Sequence, residues 1–364
     1  METLDEFLIC SDCFKDEGLK LDAKYIGIEN TQKCKNCNSV EGYKLNYNLI
    51  RDLCYRFFTR GTIYKTEYGG FPLIIYNDKF EETKIDFSPW LENDVKLIAY
   101  NAKVNFFYYG PRFWMFGEIE PLKALQDHKE RAKIIERIIE TYPIRYLTTD
   151  ESFYRIRVNP KIPHDNAEYD SAPDEFMKKG RFDDIDFPVL YASQDIEICI
   201  HECRVSAEDD IFMSKLTPQK KLKLLDLSEV IYEPEVTEFE SLGISIQFLF
   251  LAEKHSYEIC RNIAKSARMK GFDGIIYPSY FSHLRTGTVP FETSYGISLR
   301  RFDNLRTYVK KQIISNLVIF GRPISENKVR VECINRVLLN KVQYDISFGP
   351  AFHKAFENEE NEND

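Results

Sequence analysis

Two groups of residues in this 364-residue chain have the types and spacing that chemistry requires. The first is Cys10, Cys13, Cys34 and Cys37, two C-x2-C pairs about twenty residues apart. This is the spacing of a four-thiolate zinc site, in which each pair forms a knuckle offering two sulfurs to one metal. Four thiolates fill every tetrahedral position, so the expected site is structural and not catalytic. The segment is too short to build a core, and metal binding would supply much of its folding energy. The alternative is four unrelated thiols. Asp12, Asp16 and Glu17 stand beside the pairs and argue against a nucleic-acid contact there.

The second group is dispersed. Arg155 and Arg157 stand two apart in "SFYRIRV", whose alternation predicts a strand, so they share a face. Arg181 lies in "GRFDDIDFPVLYAS", Tyr191 ends the apolar run of that stretch, and Glu202 follows in "QDIEICIHECR". Three arginines near one carboxylate suit a phosphorylated ligand, because guanidinium forks grip phosphate oxygens at two points. Tyr191 could stack on a ring, a cationic one by preference. Ser279 closes "GIIYPS", where a predicted buried strand ends, and ligands of α/β sheets collect at strand ends. Singly, each has a plainer explanation: a surface glutamate paired with Arg204 or Arg157, a half-buried core tyrosine, a turn serine.

The elements that must position these residues follow from periodicity. Ser193 is the expected N-cap of a helix whose apolar stripe is Ile196, Cys199, Ile200 and Cys203, with Glu202 at its flank and His201 further out. "KLKLLDLSEV" and "FDGIIYPS" predict strands, and "SYEICRNIAKSARMKG" a helix with a glycine stop. "HKERAKIIERIIETY" places Ile134, Ile135, Ile138 and Ile139 on one face of a packing helix closed by Pro143. Earlier, "NYNLIRDLCYRFFTRG" predicts an amphipathic helix stopped by Gly61. "TIYKTEYGGFPLIIYN" predicts extended chain broken by a Gly-Gly turn. No internal repeat is present.

Composition narrows the class. Hydrophobic content of 43% supports a sizeable core, and the length suggests two or three domains. A net charge of −9 argues against a general nucleic-acid binder. Met1 is followed by acidic residues with no basic n-region, and no apolar run reaches the ~18 residues of a bilayer span. Nine cysteines without a secretory signal indicate thiols or a metal in a reducing compartment, hence a cytoplasmic protein without membrane contact. No G-x-G-x-x-G follows a strand and no Walker A pattern exists, which excludes the common dinucleotide and P-loop motifs. Arg157 and His164 have the R-x6-H spacing of one RNase class, but Pro160 and Pro163 break the helix such a pair needs.

Taken together, "FYRIRVNP", "SAPDEFMKKGRFDDIDFPVLYASQDIEICIHECR", "LKLLDLSEV" and "FDGIIYPSYFSHLRTG" resemble the RES-domain family, named for its arginine, glutamate and serine. The likeness runs over residues 145–305. The amino-terminal cysteine pairs resemble the zinc-containing leader found ahead of some RES domains. The resemblance implies an α+β fold, an ADP-ribosyltransferase-like RES domain preceded by a small zinc-knuckle module and a mixed α/β region. The expected divisions are a zinc module at 1–45, a mixed region at 46–144 and the RES domain at 145–305. A C-terminal extension packed on the core follows at 306–354, then an acidic disordered tail at 355–364.

Known members are toxins of toxin–antitoxin systems that split NAD by hydrolysis or phosphorolysis. The resemblance therefore implies an NAD phosphorylase or glycohydrolase, with phosphate or water as acceptor and an antitoxin or regulatory protein as partner. It assigns Glu202, Arg155 and Ser279 to catalysis and Arg157, Arg181 and Tyr191 to substrate binding. The arginines would clamp the diphosphate and Tyr191 would stack on nicotinamide. Glu202 would hold a ribose hydroxyl and stabilise oxocarbenium-like charge. One departure stands out: after Gly-Arg-Phe, where the family commonly has asparagine and a small loop, this chain has Asp183, Asp184 and Asp186. Three acids would oppose an anionic ligand if they faced it. The competing readings are a zinc-knuckle interaction protein with an inactive RES-like domain, and an ADP-ribosyltransferase acting on a macromolecule.

Overall fold

The structure is a computed structural model that describes residues 6–66, 69–77, 85–108, 119–252, 254–288, 293–294 and 297–351. The acidic tail expected at 355–364 lies outside the described residues. Two compact units divide the chain: Met1–Thr66 with Gly70–Arg112 and Gln343–Asp364, and Glu67–Gly69 with Phe113–Val342. No helix among the described residues is long and apolar enough to cross a membrane.

In the first unit, strands Phe7–Cys10 and Lys44–Asn46 pair antiparallel and bring the two ends of the cysteine segment together. Between them runs helix α1, Glu17–Ile26, started by Asp16, whose side chain accepts the Leu19 N–H. Helix α2, Tyr47–Cys54, passes into one π-helical turn, Tyr55–Thr59, and a 3-10 turn, Arg60–Thr62. Gly61 sits in this final 3-10 turn, and the helical path ends one residue later, where strand Ile63–Thr66 begins. Gly69 and Gly70, expected to form a turn, lie in strand Gly69–Pro72, which pairs with strand Ile63–Thr66; residues 67–68 lie outside the described residues. Helix α3, Pro89–Ala102, presents Asp94, 1% exposed, to the backbone N–H groups of Lys15 (2.9 Å) and Asp16 (2.8 Å). Phe57, Phe58 and Phe106 form the aromatic core of this unit.

The second unit is built on an eight-stranded mixed sheet. Its strands, in chain order, are β1 Ile144–Leu147, β2 Phe153–Val158, β3 Val189–Ser193, β4 Ile211–Pro218, β5 Leu222–Asp226, β6 Gly274–Pro278, β7 Ser315–Phe320 and β8 Val329–Val337. The spatial order is β8-β4-β2-β3-β7-β6-β5-β1. All neighbours are antiparallel except β5 and β6. Both faces are covered, as the continuous apolar runs of β6 and β7 require. Ile275, Tyr277, Val318 and Phe320 face one layer, while Ile276, Leu317 and Ile319 face the other. The first layer is roofed by α5, Arg131–Thr141, by α7, Leu242–Leu251, and by α8, Tyr257–Met269. Four further short helices among the described residues are α4 Glu120–Gln126, α6 Ile196–Cys203, α9 Ser282–Thr286 and α10 Arg306–Lys311. Ile135 and Ile138 bury the expected stripe of α5, with Ile134 and Ile139 at its edges.

Helix α7 is apolar on every side: eight of its residues, among them Leu242, Ile246, Leu249 and Phe250, are buried. A buried helix must still satisfy the N–H groups at its start and the C=O groups at its end. The Glu233 carboxylate accepts from Leu242 N (2.9 Å) and Gly243 N (3.0 Å), and Ser241 Oγ from Ile244 N (3.1 Å). The other end is held by Arg181. An anion at the N-terminus and a cation at the C-terminus both complement the helix dipole.

Candidate active site at the split of the sheet

Strands β2 and β3 pair only at Tyr154 and Ser193. Beyond that point they diverge, and the carbonyl of Tyr191 on β3 needs another donor. Arg155 supplies it: its Nη1 donates to Tyr191 O (2.5 Å) and its Nη2 to Asp170 O (2.9 Å). Arg157, two residues along the same face, donates to Glu168 O (2.5 Å) and to the same Asp170 O (2.7 Å). Each guanidinium carries five N–H donors, so both keep donors to spare, and Arg155 Nε is buried without a partner among the described residues. Burial, and then the charge of Arg157, push the Arg155 guanidinium well below its ordinary range. Such a cation gains from an anion placed beside it.

The acidic loop is turned away from this gap. Asp183, 6% exposed, accepts the Tyr191 hydroxyl (2.8 Å) and the Lys179 N–H (3.1 Å), and the same hydroxyl accepts from Phe182 N (2.7 Å). Asp184 pairs with Lys265 at 2.5 Å, and Asp186 is exposed. Arg261 fastens the loop from outside through the carbonyls of Asp183 (2.8 Å) and Gly180 (2.9 Å). Gly180 is required by close approach, since a Cβ there would lie 2.6 Å from the Tyr191 oxygen. The first of the three aspartates thus fixes Tyr191, the second neutralises a lysine, and the third faces solvent.

Arg181 reaches the C-terminal end of α7. Its Nη1 donates to Leu249 O (2.9 Å) and its Nη2 to Ala252 O (3.0 Å), and the guanidinium lies over the ring of Tyr257 at 4.9 Å. It therefore joins the helix end to the loop that holds Tyr191.

Glu202 comes from α6. Asp195, and not Ser193, caps that helix by accepting the Ile198 N–H (2.9 Å). Ser193 is the last residue of β3, and its hydroxyl bonds to Ser315 O (2.8 Å). The buried side of α6 is Ile198 and Cys199, while Ile196, expected in the stripe, is 36% exposed. Glu202 Oε1 accepts from Ser279 Oγ (2.7 Å) and Asn316 Nδ2 (2.5 Å). Both donors are buried, at 5% and 3% exposure, so they fix the carboxylate from the sheet side. Oε2 has no partner among the described residues and remains open.

Arg155, Arg157, Arg181, Tyr191 and Glu202 all line one cleft of about 860 Å³, and Ser279 bonds to Glu202 from its edge. The sequence reading missed Asn316 and Tyr277. Tyr277 lies on β6 two residues before Ser279 and opposite Asn316 on β7. The i, i+2 spacing from Ser279 was its only signal. Burial, followed by the Glu202 charge, pushes the Tyr277 phenol well up, so it stays a neutral donor. Arg204 and Lys254 also line the cleft, making five cations around one carboxylate among its described residues in a chain of net charge −9.

In the other unit, Cys10, Cys13, Cys34 and Cys37 have their sulfurs within 4.8 Å of one another. Neighbouring sulfurs lie 3.6–3.7 Å apart. A tetrahedron with metal–sulfur bonds of about 2.3 Å has edges of about 3.8 Å, so the four fit a metal ion. Lys44 organises the second knuckle: its ammonium, fully buried, donates to the carbonyls of Val40 (3.2 Å), Glu41 (2.5 Å) and Gly42 (3.1 Å).

No curated protein matches in sequence. One chain in the crystal structure of the M. tuberculosis MbcT-MbcA toxin-antitoxin complex is similar in fold search, at 13% identity and a TM-score of 0.32, covering 56% of this chain and 91% of that one. Residues 152–289 match the family model described as the RES domain, a stretch that holds Arg155, Arg157, Arg181, Tyr191, Glu202 and Ser279. That stretch of the chain is a RES domain.

Proposed function

We propose that the sheet unit cleaves the nicotinamide–ribose bond of NAD and passes the ADP-ribosyl group to phosphate or water, so that the protein acts as an NAD-depleting toxin or defence effector. One observation carries this reading: a single carboxylate, fixed on one oxygen and open on the other, stands in a cleft lined by cations. A dinucleotide brings two phosphate charges to such a cleft, and its nicotinamide leaves as a neutral base. The C1′–N bond breaks with its electron pair going to the pyridinium nitrogen, so no acid is needed to protonate the leaving group. The acceptor oxygen then bonds to C1′ and loses its proton to solvent. One carboxylate suffices, where ordinary glycosides use two.

In this scheme Glu202 Oε2 holds a ribose hydroxyl and stabilises the positive charge that develops on the ring. Ser279 and Asn316 hold Oε1. Arg155 and Arg157 meet the diphosphate with their remaining N–H groups. Arg181 contributes charge while its own donors fix the end of α7, and Tyr191 offers a ring face held in place by Asp183. The four thiols of the first unit hold Zn²⁺ as a structural ion, and an antitoxin or regulatory protein restrains the activity in the cell. Nicotinamide release by the purified chain, run with and without phosphate, is the test. Release that accelerates with phosphate identifies phosphorolysis, release indifferent to it identifies hydrolysis, and no release over hours with millimolar NAD rejects the enzyme reading.

A further inference from the structure

The cleft of the sheet unit holds more positive charge than NAD can match. Glu202 is the only carboxylate among its described lining residues, against five cations. NAD brings two phosphate charges and carries one positive charge of its own on the pyridinium ring. Arg155, Arg157 and Arg181 are partly engaged by backbone carbonyls. Arg204 and Lys254 are exposed, and neither side chain has a hydrogen bond or an ion pair among the described residues. These two extend walls that are already built. Arg204 follows α6, whose last residue, Cys203, lies against the Ile156 carbonyl of β2 (3.9 Å), the residue between Arg155 and Arg157. Lys254 stands two residues after Ala252, whose carbonyl accepts from Arg181 (3.0 Å). Each wall thus offers one cation with all its donors open.

Dinucleotide sites distinguish NAD from its 2′-phosphorylated form at the adenosine ribose. A carboxylate there accepts the 2′-hydroxyl and repels a phosphate, whereas an arginine accommodates the phosphate. In this cleft no described carboxylate is left for that duty, because Glu202, fixed by Ser279 and Asn316, serves the ribose that loses nicotinamide. An arginine with open donors is present instead.

Resting on the reading of the cleft as a nicotinamide-dinucleotide site, we propose that its preferred substrate is the 2′-phosphorylated dinucleotide NADP. Arg204 meets the third phosphate, and Lys254 adds charge from the other wall. That phosphate is a monoester carrying about −1.5 to −2 charges at pH 7. A guanidinium fork meets two of its oxygens together, and an ammonium meets it as a point charge. The chemistry is unchanged: the C1′–N pair leaves with nicotinamide, the acceptor oxygen bonds to C1′ and its proton goes to solvent. The product keeps its 2′-phosphate.

Nicotinamide release by the full chain is compared for NADP and NAD at one ionic strength. The kcat/KM should be at least about tenfold higher for NADP, the size of one charge-assisted hydrogen bond. Arg204 has a φ of 50° as the C-cap of α6, a left-handed position where glycine is relaxed, so Arg204→Gly removes the charge without straining the backbone. This variant should lose at least about tenfold more kcat/KM for NADP than for NAD. Lys254→Gln should move the ratio the same way by less. Cleavage of NAD with no preference for NADP overturns the proposal and leaves the NAD reading standing. A second arm needs no turnover. NADPH and NADH lack the cationic leaving group, and both are titrated by calorimetry into the parent and the Arg204→Gly chain. NADPH should bind the parent at least about tenfold more tightly than NADH, and Arg204→Gly should remove most of that difference. If neither NAD nor NADP is cleaved while NADPH still binds more tightly, the cleavage reading falls and the third-phosphate site stands. Equal affinities of the parent for NADPH and NADH overturn the site itself.

Discussion

The two units bury charge for different ends. In the first, Lys44, Asp22 and Asp94 are at most 1% exposed and each is closed by backbone groups of nearby loops. With the four thiols, they stand where a larger domain would have apolar side chains. In the second, two apolar layers cover the sheet, and the buried Arg155 stands where β2 and β3 part, in a cleft that the half-buried Arg157 and Arg181 also line. Buried charge is scaffolding in the first unit; in the second, where Arg131 and Asp226 are likewise scaffolding, Arg155 also marks the gap at which the pairing of β2 and β3 stops.

The largest effect should come from removing the metal. Cys10→Ser with Cys34→Ser, or a strong chelator, should unfold the cysteine segment, since structural zinc is worth on the order of 10 kcal/mol of folding free energy. Segment-resolved hydrogen exchange should show α1 losing protection while β6 and β7 keep theirs. Simultaneous loss in both would break the contrast between a metal-held and an apolar-held unit. Metal analysis of the parent should give about one zinc per chain.

Next in size is Glu202→Gln, which keeps shape and removes charge. Nicotinamide release should fall by roughly 10²-fold or more, about 3 kcal/mol, with little change in affinity for a non-cleavable NAD analogue. Equal weakening of binding and turnover would make Glu202 a binding group only.

Arg181→Met tests whether a cation in the gap is also scaffolding. It leaves the carbonyls at the end of α7 without their donor and should cost about 2–4 kcal/mol in urea unfolding. Arg155→Lys, by contrast, should weaken analogue binding measured by calorimetry, because an ammonium has no planar fork. If Arg181→Met is neutral in stability, the helix-end role is wrong.

The smallest effect belongs to Glu197→Gln. Glu197 is 61% exposed and pairs with Arg285 at 2.7 Å, and exposed pairs are worth at most about 1 kcal/mol. Turnover should stay at the parent rate, which makes this variant the control for Glu202.

What the sequence disclosed follows the range of each signal. The cysteine spacing, the strand bearing Arg155 and the strand that ends just before Ser279 are local patterns, and they stand where periodicity put them. The α+β class and the RES likeness were legible for the same reason. Helix α7 was not, because a helix apolar all round has no stripe to detect. Asn316 reaches Glu202 only through the pairing of β7 with β6 and β3, a register that no local window contains. The roles of Asp183 and Arg181 depended on where a loop and a helix end would meet. The acidic loop looked hostile to an anion in one dimension; in three, Asp183 bonds Tyr191, Asp184 pairs with Lys265 and Asp186 faces solvent. Asp195 took the cap expected of Ser193 because β3 runs on through Ser193.

The dependence of Glu202 on Asn316 also sets a clock. β7 begins at Ser315, more than a hundred positions after Glu202, and is an interior strand without which β3 and β6 have no common neighbour. A ribosome adding about 5–20 residues per second needs roughly 6–20 s to travel from one to the other. During that interval the nascent chain carries its arginines and its carboxylate without the strand that joins the halves of the sheet. Any chemistry that needs Asn316 on Glu202 would therefore be assembled only late in synthesis, and chains abandoned before β7 would lack it.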